Sequence, residues 1–240
     1  ITDKTKAIFI THLIGLPADI GLINNICSGK DIKIIEDCCE SLGAQILNNK
    51  VGNFGDGGTF SFYWGHHMTS IEGGMVITNS EKLHNKIVHL KGQGLAKDRE
   101  YWHDAIGYNY RMTNIQAALG LGQLKNINWI IKRKKEIGKM YYKFLKNNKK
   151  IFIQNLKTNY AENIFWVYGV LLKKNVKISR DFLARKLLKK KIQTRNFFYP
   201  MHKQKIFNKM KIFKGKMNFP NSEFLSKNGL YLPSGLAIKN

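Results

Sequence analysis

Two adjacent histidines, His66 and His67, carry side chains well suited to proton transfer. An imidazole changes charge near neutral pH, so a histidine in a cleft can act as a general acid or base. If the backbone is extended here, the two rings point to opposite sides and only one faces a common site. Gly73 and Gly74 follow and fit a tight turn in which side chains would be too bulky. The spacing therefore predicts one working histidine on a loop that turns back sharply.

Two carboxylates and a hydroxyl lie near the ends of predicted strands. Asp37 closes the strand-like run 31–37, Glu40 follows three residues later, and Ser61 lies in a later strand. Ligands of open α/β sheets bind at the carboxyl ends of strands. A carboxylate there can keep a pyridine nitrogen protonated, which makes the ring an electron sink, and a hydroxyl beside backbone amides suits a phosphate oxygen. Taken alone, Asp37 also fits a helix cap and Ser61 an ordinary strand residue.

The elements that must position these groups follow from the hydrophobic pattern. The pattern predicts strands at 6–12, 31–37, 59–63, 75–78 and 164–172 and helices at 18–27, 81–91, 113–145 and 179–190. A strand, a helix and a strand at this spacing indicate a parallel βαβ unit. We therefore predict an α/β fold. A large domain over 1–130 contains a mixed, mostly parallel sheet, and a small α+β domain covers 131–240.

The most specific motif lies at 107–124, which begins Gly-Tyr-Asn-Tyr-Arg-Met-Thr-Asn-Ile-Gln-Ala-Ala. It resembles the G-[YF]-N-[YF]-R-M-[ST]-x-x-Q-A-A signature of the DegT/DnrJ/EryC1/StrS family, the sugar aminotransferases that use pyridoxal phosphate. Three further segments resemble that family's aspartate motif, its cofactor-lysine segment and its T-R-x-x-[FY]-x-P-x-H motif, at 34–44, 59–74 and 194–202. The resemblance covers essentially the whole chain and implies the fold type I, aspartate aminotransferase-like architecture of pyridoxal-phosphate enzymes.

The resemblance also implies a role for each matching residue. It places Asp37 at the pyridine nitrogen of pyridoxal 5'-phosphate, Ser61 at its phosphate, and Glu40 near its ring, where many relatives carry Gln. Asn109 would reach the cofactor phosphate of the partner subunit, which implies a homodimer with shared active sites. The remaining two residues, expected to contact the substrate, are Arg195 and His202.

Position 66 is where the family carries its lysine, whose amine forms a Schiff base with the cofactor. In the family the lysine lies five residues after the serine and eight before the second glycine. Counted from Ser61 and from Gly74, both spacings lead to His66. A histidine there resembles one branch of the family, the nucleotide-sugar 3-dehydratases that act on substrates such as GDP-4-keto-6-deoxymannose. The implied reaction removes the C3 hydroxyl of a 4-keto-6-deoxyhexose in deoxysugar and polysaccharide (O-antigen) biosynthesis. In it His66 is the catalytic base, pyridoxamine 5'-phosphate the working cofactor and L-glutamate the amino donor.

Two other functions remain open. A nucleotide-ketosugar 4-aminotransferase of the same family needs a lysine at position 66, and no lysine occurs between Lys50 and Lys82. The chain also lacks an initiating Met and the N-terminal segment that relatives carry before the first strand. We therefore expect an N-terminally truncated fragment, and a catalytically inactive fragment or pseudoenzyme is the alternative of another class.

The composition bounds the remaining possibilities. The net charge of +24 comes mostly from dispersed lysines, with six arginines, so we do not expect nucleic-acid binding. Three cysteines without a C-x-x-C pair predict neither a metal site nor the iron–sulfur cluster of the related CDP-sugar dehydratases. No apolar run approaches the roughly 20 residues of a membrane helix, and we expect a cytoplasmic protein.

Overall fold

A computed structural model describes residues 1–213 and 218–239. Contacts divide the chain into two compact units. One comprises Ile1–Lys135 with Lys157–Trp166, and the other comprises Glu136–Leu156 with Val167–Asn240. The chain thus returns once to the first unit after leaving it. The domain boundary predicted at 130/131 stays a prediction.

The described residues contain ten strands and seven α-helices. The strands are β1 Ala7–Thr11, β2 Lys33–Asp37, β3 Gln45–Ile46, β4 Asn49–Lys50, β5 Gly57–Ser61, β6 Gly74–Ile77, β7 Ile151–Ile153, β8 Tyr168–Leu172, β9 Arg195–Asn196 and β10 Gly229–Leu232. The helices are α1 Ile20–Cys27, α2 Glu81–Lys91, α3 Asn114–Leu124, α4 Ile127–Leu145, α5 Arg180–Lys189, α6 Lys205–Lys209 and α7 Pro220–Asn228. Short 3-10 turns occur at Leu13–Gly15 and Met201–Lys203.

The first unit is built on a four-stranded sheet in the order β1-β2-β5-β6. The first three strands are parallel and β6 is antiparallel to β5, which confirms the predicted mixed, mostly parallel sheet. Its core packs apolar side chains of the sheet and α1, among them Ile10, Ile34 and Phe60. The strand predicted at 6–12 is correct in position; it lies at the edge of the sheet, and Phe9 is 64% exposed.

Helix boundaries follow local capping. Asp19 accepts the backbone N–H of Leu22 and so caps α1. Thr113 forms a capping box with Gln116, which confirms the predicted start of α3. The single long helix predicted from this point is divided, since α3 ends at Leu124 and α4 begins at Ile127.

The second unit contains an antiparallel sheet in the order β7-β8-β10-β9. Tyr168 is fully buried and stacks on Tyr141 of α4 with ring centroids 4.7 Å apart. Arg180, at the start of α5, is also buried and donates to the carbonyl of Ser226 at 2.6 Å. This mixture of helices and antiparallel strands is the α+β region that the sequence predicts after α4.

Across 1–213 and 218–239, no helix combines the length and the hydropathy that crossing a membrane requires.

Candidate active site

The carboxyl ends of β1, β2 and β5 meet at one edge of the first sheet. In the parallel ladder Thr11 lies opposite Asp37, and Asp37 lies opposite Thr59. The loop between β5 and β6 begins and ends at the same edge, because Ser61 pairs with Gly74. Side chains after the three strands and on this loop therefore share the edge at which open α/β sheets bind ligands.

Asp37 and Glu40 lie at this edge in unequal surroundings. Asp37 is half-buried, its Oδ1 accepts the N–H of Cys39 at 3.0 Å, and its carboxylate also interacts with the Cys39 thiol. Glu40 is buried and its Oε2 accepts the N–H of Ile14 at 2.6 Å. Burial raises the pKa of Glu40 to about 7; the charge of Asp37 adds to the rise and the Ile14 N–H opposes it. Near neutral pH the Glu40 carboxyl group is therefore partly protonated.

His66 completes this part of the site. Its half-buried ring stacks on Trp166, with centroids 5.3 Å apart and planes at 25°, and Tyr63 meets it edge-on at 6.4 Å. The Nδ1 atom is buried, and no hydrogen-bond partner reaches it among the described residues. Burial lowers the pKa of His66, and the negative charge of Asp37 opposes that change. His66 is thus a neutral imidazole at pH 7 beside a carboxylate that can stabilise its protonated form.

His67 has a different environment. Residues 66–68 form a bend, so the extended backbone considered for the two histidines is not what separates them. His67 is buried in the core, 3% exposed. Burial first, and then the positive charge of Lys134, lower the pKa of His67 to about 3. Its ring is therefore neutral around pH 7, and its burial fits a structural role.

Ser61 occupies the last position of β5, half-buried, and its Oγ accepts the N–H of Tyr63 at 3.2 Å. The hydroxyl proton remains available to an anion at the strand end. This placement agrees with a phosphate contact, and the assignment of Ser61 to the cofactor phosphate stays a prediction.

Asn109 lies on a separate, exposed segment. It bridges to Gly92, and its Oδ1 accepts from Nε of Arg111 at 3.3 Å. Tyr108 and Tyr110 stack beside it at 5.1 Å, and both rings are exposed. Asn109 is therefore held in a fixed position on the surface of the first unit. None of its described contacts is to Asp37 or Glu40.

Arg195 and His202 belong to the second unit. Arg195 is exposed and pairs with Tyr231 in the sheet. His202 bonds through Nε2 to Oε1 of Glu223 at 2.9 Å and packs on Phe219. The described contacts of His202 are internal to the second unit, and the substrate roles of both residues stay predictions.

A buried polar cluster lies behind the site on the same strands. Potential metal ligands of His12, Glu36 and Cys38 lie within 4.8 Å of one another. His12 donates through Nε2 to Glu36 at 3.0 Å and accepts the N–H of Ala18 at Nδ1, also at 3.0 Å. The carboxylate of Glu36 further accepts, at 2.7–2.8 Å, the backbone N–H groups of Gly52, Phe54 and Gly55. The imidazole and the carboxylate already have partners, so we assign the cluster a structural role.

Sequence reasoning missed Trp166 and Lys134. Trp166 falls within a segment that was predicted to be strand from 164, whereas β8 begins at Tyr168. Its indole Nε1 donates to the carbonyl of Gly65 at 2.7 Å. The adjacent pair Phe165-Trp166 was the available signal, because bulky aromatic residues next to each other do not fit a strand with one buried face.

An open α/β sheet that presents carboxylates, a hydroxyl and an imidazole at its carboxyl edge is typical of α/β enzymes that bind a cofactor there. The chain belongs to the DegT/DnrJ/EryC1/StrS aminotransferase family, whose profile matches residues 1–240. Its fold is the fold type I architecture of pyridoxal-phosphate enzymes, as the sequence predicted.

Relatives of two activities are similar to this chain. The GDP-perosamine synthase of Escherichia coli O157:H7 is 39% identical over 240 residues, which are 100% of this chain and 63% of that protein. The GDP-4-keto-6-deoxy-D-mannose 3-dehydratase of Yersinia pseudotuberculosis is 29% identical over 254 residues, covering 97% and 63%. The solved E. coli 3-dehydratase with bound hydrated PLP superposes with a TM-score of 0.89 at 28% identity, covering 98% and 64%. The chain thus spans less than two thirds of the length of these proteins.

Proposed function

We propose that the protein is a nucleotide-sugar 3-dehydratase that works with pyridoxal or pyridoxamine 5'-phosphate. The substrate class is a 4-keto-6-deoxyhexose linked to a nucleotide, such as GDP-4-keto-6-deoxymannose. The observation that carries the proposal is His66, a neutral imidazole with an unpartnered buried Nδ1 at the position of the family's lysine. The expected location of this chemistry is the cytoplasm.

The residues of the sheet edge fit the cofactor. When bound, the cofactor supplies an electron sink for breaking bonds next to the ketone carbon of the sugar. The Asp37 carboxylate suits a protonated ring nitrogen and the Ser61 hydroxyl suits the phosphate, and Glu40 is proposed to lie near the ring. Asn109 is proposed to reach the site of a second copy, because it is exposed and held by Arg111. The proposed assembly is a homodimer with shared active sites.

His66 is proposed to move the proton. A lowered pKa leaves the imidazole neutral at pH 7, so it could accept a proton from the C4′ carbon of the bound amine cofactor. Asp37 then stabilises the positive ring that forms, since opposite charges attract strongly at a partly buried site. The same proton can next be given to the departing C3 hydroxyl, which leaves as water. A lysine at this position would instead favour covalent attachment of the cofactor.

The alternative is a 4-aminotransferase, and a specific observation favours it. The GDP-perosamine synthase is 39% identical to this chain, against 29% for the Yersinia dehydratase. Overall similarity thus fits the aminotransferase at least as well, while the residue at position 66 favours the dehydratase. In both cases the substrate is a GDP-linked ketosugar and L-glutamate is the proposed amino donor. Arg195 and His202 are the proposed substrate contacts.

Product analysis tests the proposal. The full-length protein is incubated with GDP-4-keto-6-deoxymannose, the cofactor and glutamate, and the sugar products are identified by mass. A product that has lost the C3 oxygen supports the dehydratase. A product in which the keto oxygen is replaced by an amine supports the aminotransferase. Turnover of neither kind, by a protein that binds the cofactor, supports the inactive-fragment alternative.

Cofactor attachment provides a second, independent test. Without a lysine between Lys50 and Lys82, the cofactor should be held noncovalently, should leave on dialysis, and should not be fixed by borohydride. Peptide mapping after reduction is the measurement. A peptide of this region that carries reduced cofactor on a lysine overturns the assignment of His66.

A further inference from the structure

The segment that returns to the first unit ends in a tight polar turn. The Oδ1 atom of Asn163 accepts the N–H of Phe165 at 2.8 Å, and Phe165 adopts a left-handed conformation with φ of 54°. Asn163 and Phe165 are both buried, 2% and 3% exposed. A buried β-propensity aromatic residue with positive φ is uncommon and is held only by well-determined surroundings. The turn therefore fixes the direction of the next residue, Trp166.

Two anchors hold this turn against the rest of the unit. The N–H of Ile164 donates to the carbonyl of Gly15 at 2.9 Å. Gly15 has φ of +97°, and a Cβ there would lie 2.6 Å from the backbone nitrogens of Phe165 and Trp166, so only glycine permits this approach. On α4, Nζ of Lys134 donates to the Trp166 carbonyl at 2.9 Å, and burial lowers the pKa of Lys134 to about 8. The backbone of Trp166 is thus held from two elements.

The Trp166 side chain uses this fixed backbone to make two contacts with the histidine loop. Its ring lies against the imidazole of His66, 5.3 Å between centroids. Its Nε1 donates to the carbonyl of Gly65 at 2.7 Å, directly before His66 in the chain. The loop itself is a series of turns and bends from 64 to 68, without a regular ladder to fix it. One side chain therefore constrains both the backbone and the ring of His66.

We infer that Trp166 is a positioning residue that holds the His66 imidazole in its reactive orientation and shields one face from water. The inference rests on the proposed role of His66. Three groups face the ring: Asp37 from the end of β2, and Tyr63 and His67 from its own loop; Lys134 of α4 acts on His67. Tyr63 meets the ring edge-on whereas Trp166 stacks on its face, so removing Trp166 should admit water to that face.

The test compares Trp166→Leu and Trp166→Phe in the full-length protein, with Trp129→Phe as the control at an exposed tryptophan. Histidine labelled with ¹⁵N is titrated by NMR, and the His66→Asn spectrum assigns the His66 signals. In Trp166→Leu the midpoint of His66 should rise toward the ordinary value of 6.5, because the imidazole regains water. Turnover should fall about tenfold to a hundredfold, because a reactive group that is out of position slows the reaction by this much. Trp129→Phe should change neither.

Trp166→Phe separates the two contacts. Phenylalanine keeps part of the stacking and loses the bond to the Gly65 carbonyl, so the same changes should appear at smaller size. If Trp166→Leu does not fold, the Phe variant decides. An unchanged His66 titration in a folded Trp166 variant overturns the inference. The NMR result does not depend on catalysis, so the inference stands or falls separately from the dehydratase assignment.

Discussion

Glu36 and Asp37 are neighbours in β2, yet they belong to regions of opposite character. The side chain of Glu36 turns into a closed region in which His12 and three backbone N–H groups surround a fully buried carboxylate. Asp37, one residue later and therefore on the other face of the strand, is half-buried, and its carboxylate interacts with the N–H and the thiol of Cys39. In the closed region the Glu36 carboxylate takes part in hydrogen bonds with His12 and three backbone N–H groups. In the open region Nδ1 of His66 has no hydrogen-bond partner among the described residues.

The difference separates residues that hold the fold from residues that can do chemistry. In the closed region burial opposes ionisation of Glu36, but His12 and the backbone N–H groups outweigh it and keep its pKa low. In the open region burial dominates, so the pKa of Glu40 rises and that of His66 falls. Titratable groups whose pKa is shifted by burial and by a nearby charge, at a sheet edge that can bind ligands, are candidates for a functional site.

The largest effect on folding is expected from Glu36. Glu36→Ala leaves His12 and three N–H groups without their acceptor, and it should lower the free energy of unfolding by about 3–5 kcal/mol. Urea unfolding measures this. The matched change next door, Asp37→Asn, should cost under about 1 kcal/mol, because an amide oxygen can still accept from Cys39, while it should impair use of the cofactor. Equal destabilisation by both variants would contradict the division into two regions.

Glu40 and Glu36 should give opposite pH dependences of stability. Because the pKa of Glu40 rises from 4.5 to about 7, the unfolded chain ionises first and stability falls as pH rises through that window. Glu40→Gln removes this loss, so relative to the wild type it should gain about 1–3 kcal/mol between pH 4 and pH 8. Glu36 has a lowered pKa, so its contribution is present above pH 4.5 and lost on acidification below it.

Thermal unfolding of wild type and Glu40→Gln at several pH values measures this difference. Glu100→Gln, at an exposed position, is the control. Its thermal midpoints should run parallel to those of the wild type across the pH range. A Glu40→Gln curve parallel to the wild type across pH 4–8 would mean that Glu40 is ionised in the folded protein.

At Asn109 we expect an effect on cofactor binding and none on folding. If Asn109 serves the partner subunit's cofactor phosphate, Asn109→Ala should weaken cofactor retention about tenfold, the size of one hydrogen bond to a charged group. Cofactor absorbance after gel filtration measures retention, and the thermal midpoint should not move. Asn49→Ala, exposed in β4, is the control. A full-length protein that is a stable monomer and keeps its cofactor would refute the shared site.

Much of the fold was predictable because local signals carry it. The capping residue Thr113 and the βαβ spacing of β1, α1 and β2 are written in short segments of sequence. Asp37, Glu40 and Ser61 fall at the sheet edge for the same reason, since each follows or ends a parallel strand.

Other features needed the three-dimensional structure because they depend on distant parts of the chain. The stacking of Trp166 on His66 joins residues 100 positions apart. The hydrogen bonds of the Glu36 carboxylate depend on a turn at 52–55, which brings three backbone N–H groups to it. Its sequence neighbour Asp37 carries the same chemical group, so residue type alone does not separate the two roles.

The most direct measurement of the central claim is the rate of C3 deoxygenation by His66→Asn, compared with His67→Asn in the same full-length protein. A general acid–base group contributes about 10²–10⁴-fold, so His66→Asn should lose that much activity and still bind the amine form of the cofactor. His67→Asn should lose far less, because that ring is buried in the core. His66→Lys should produce aminated sugar at the expense of deoxysugar. Full dehydratase activity in His66→Asn, or only aminated sugar from the wild type, would contradict the account.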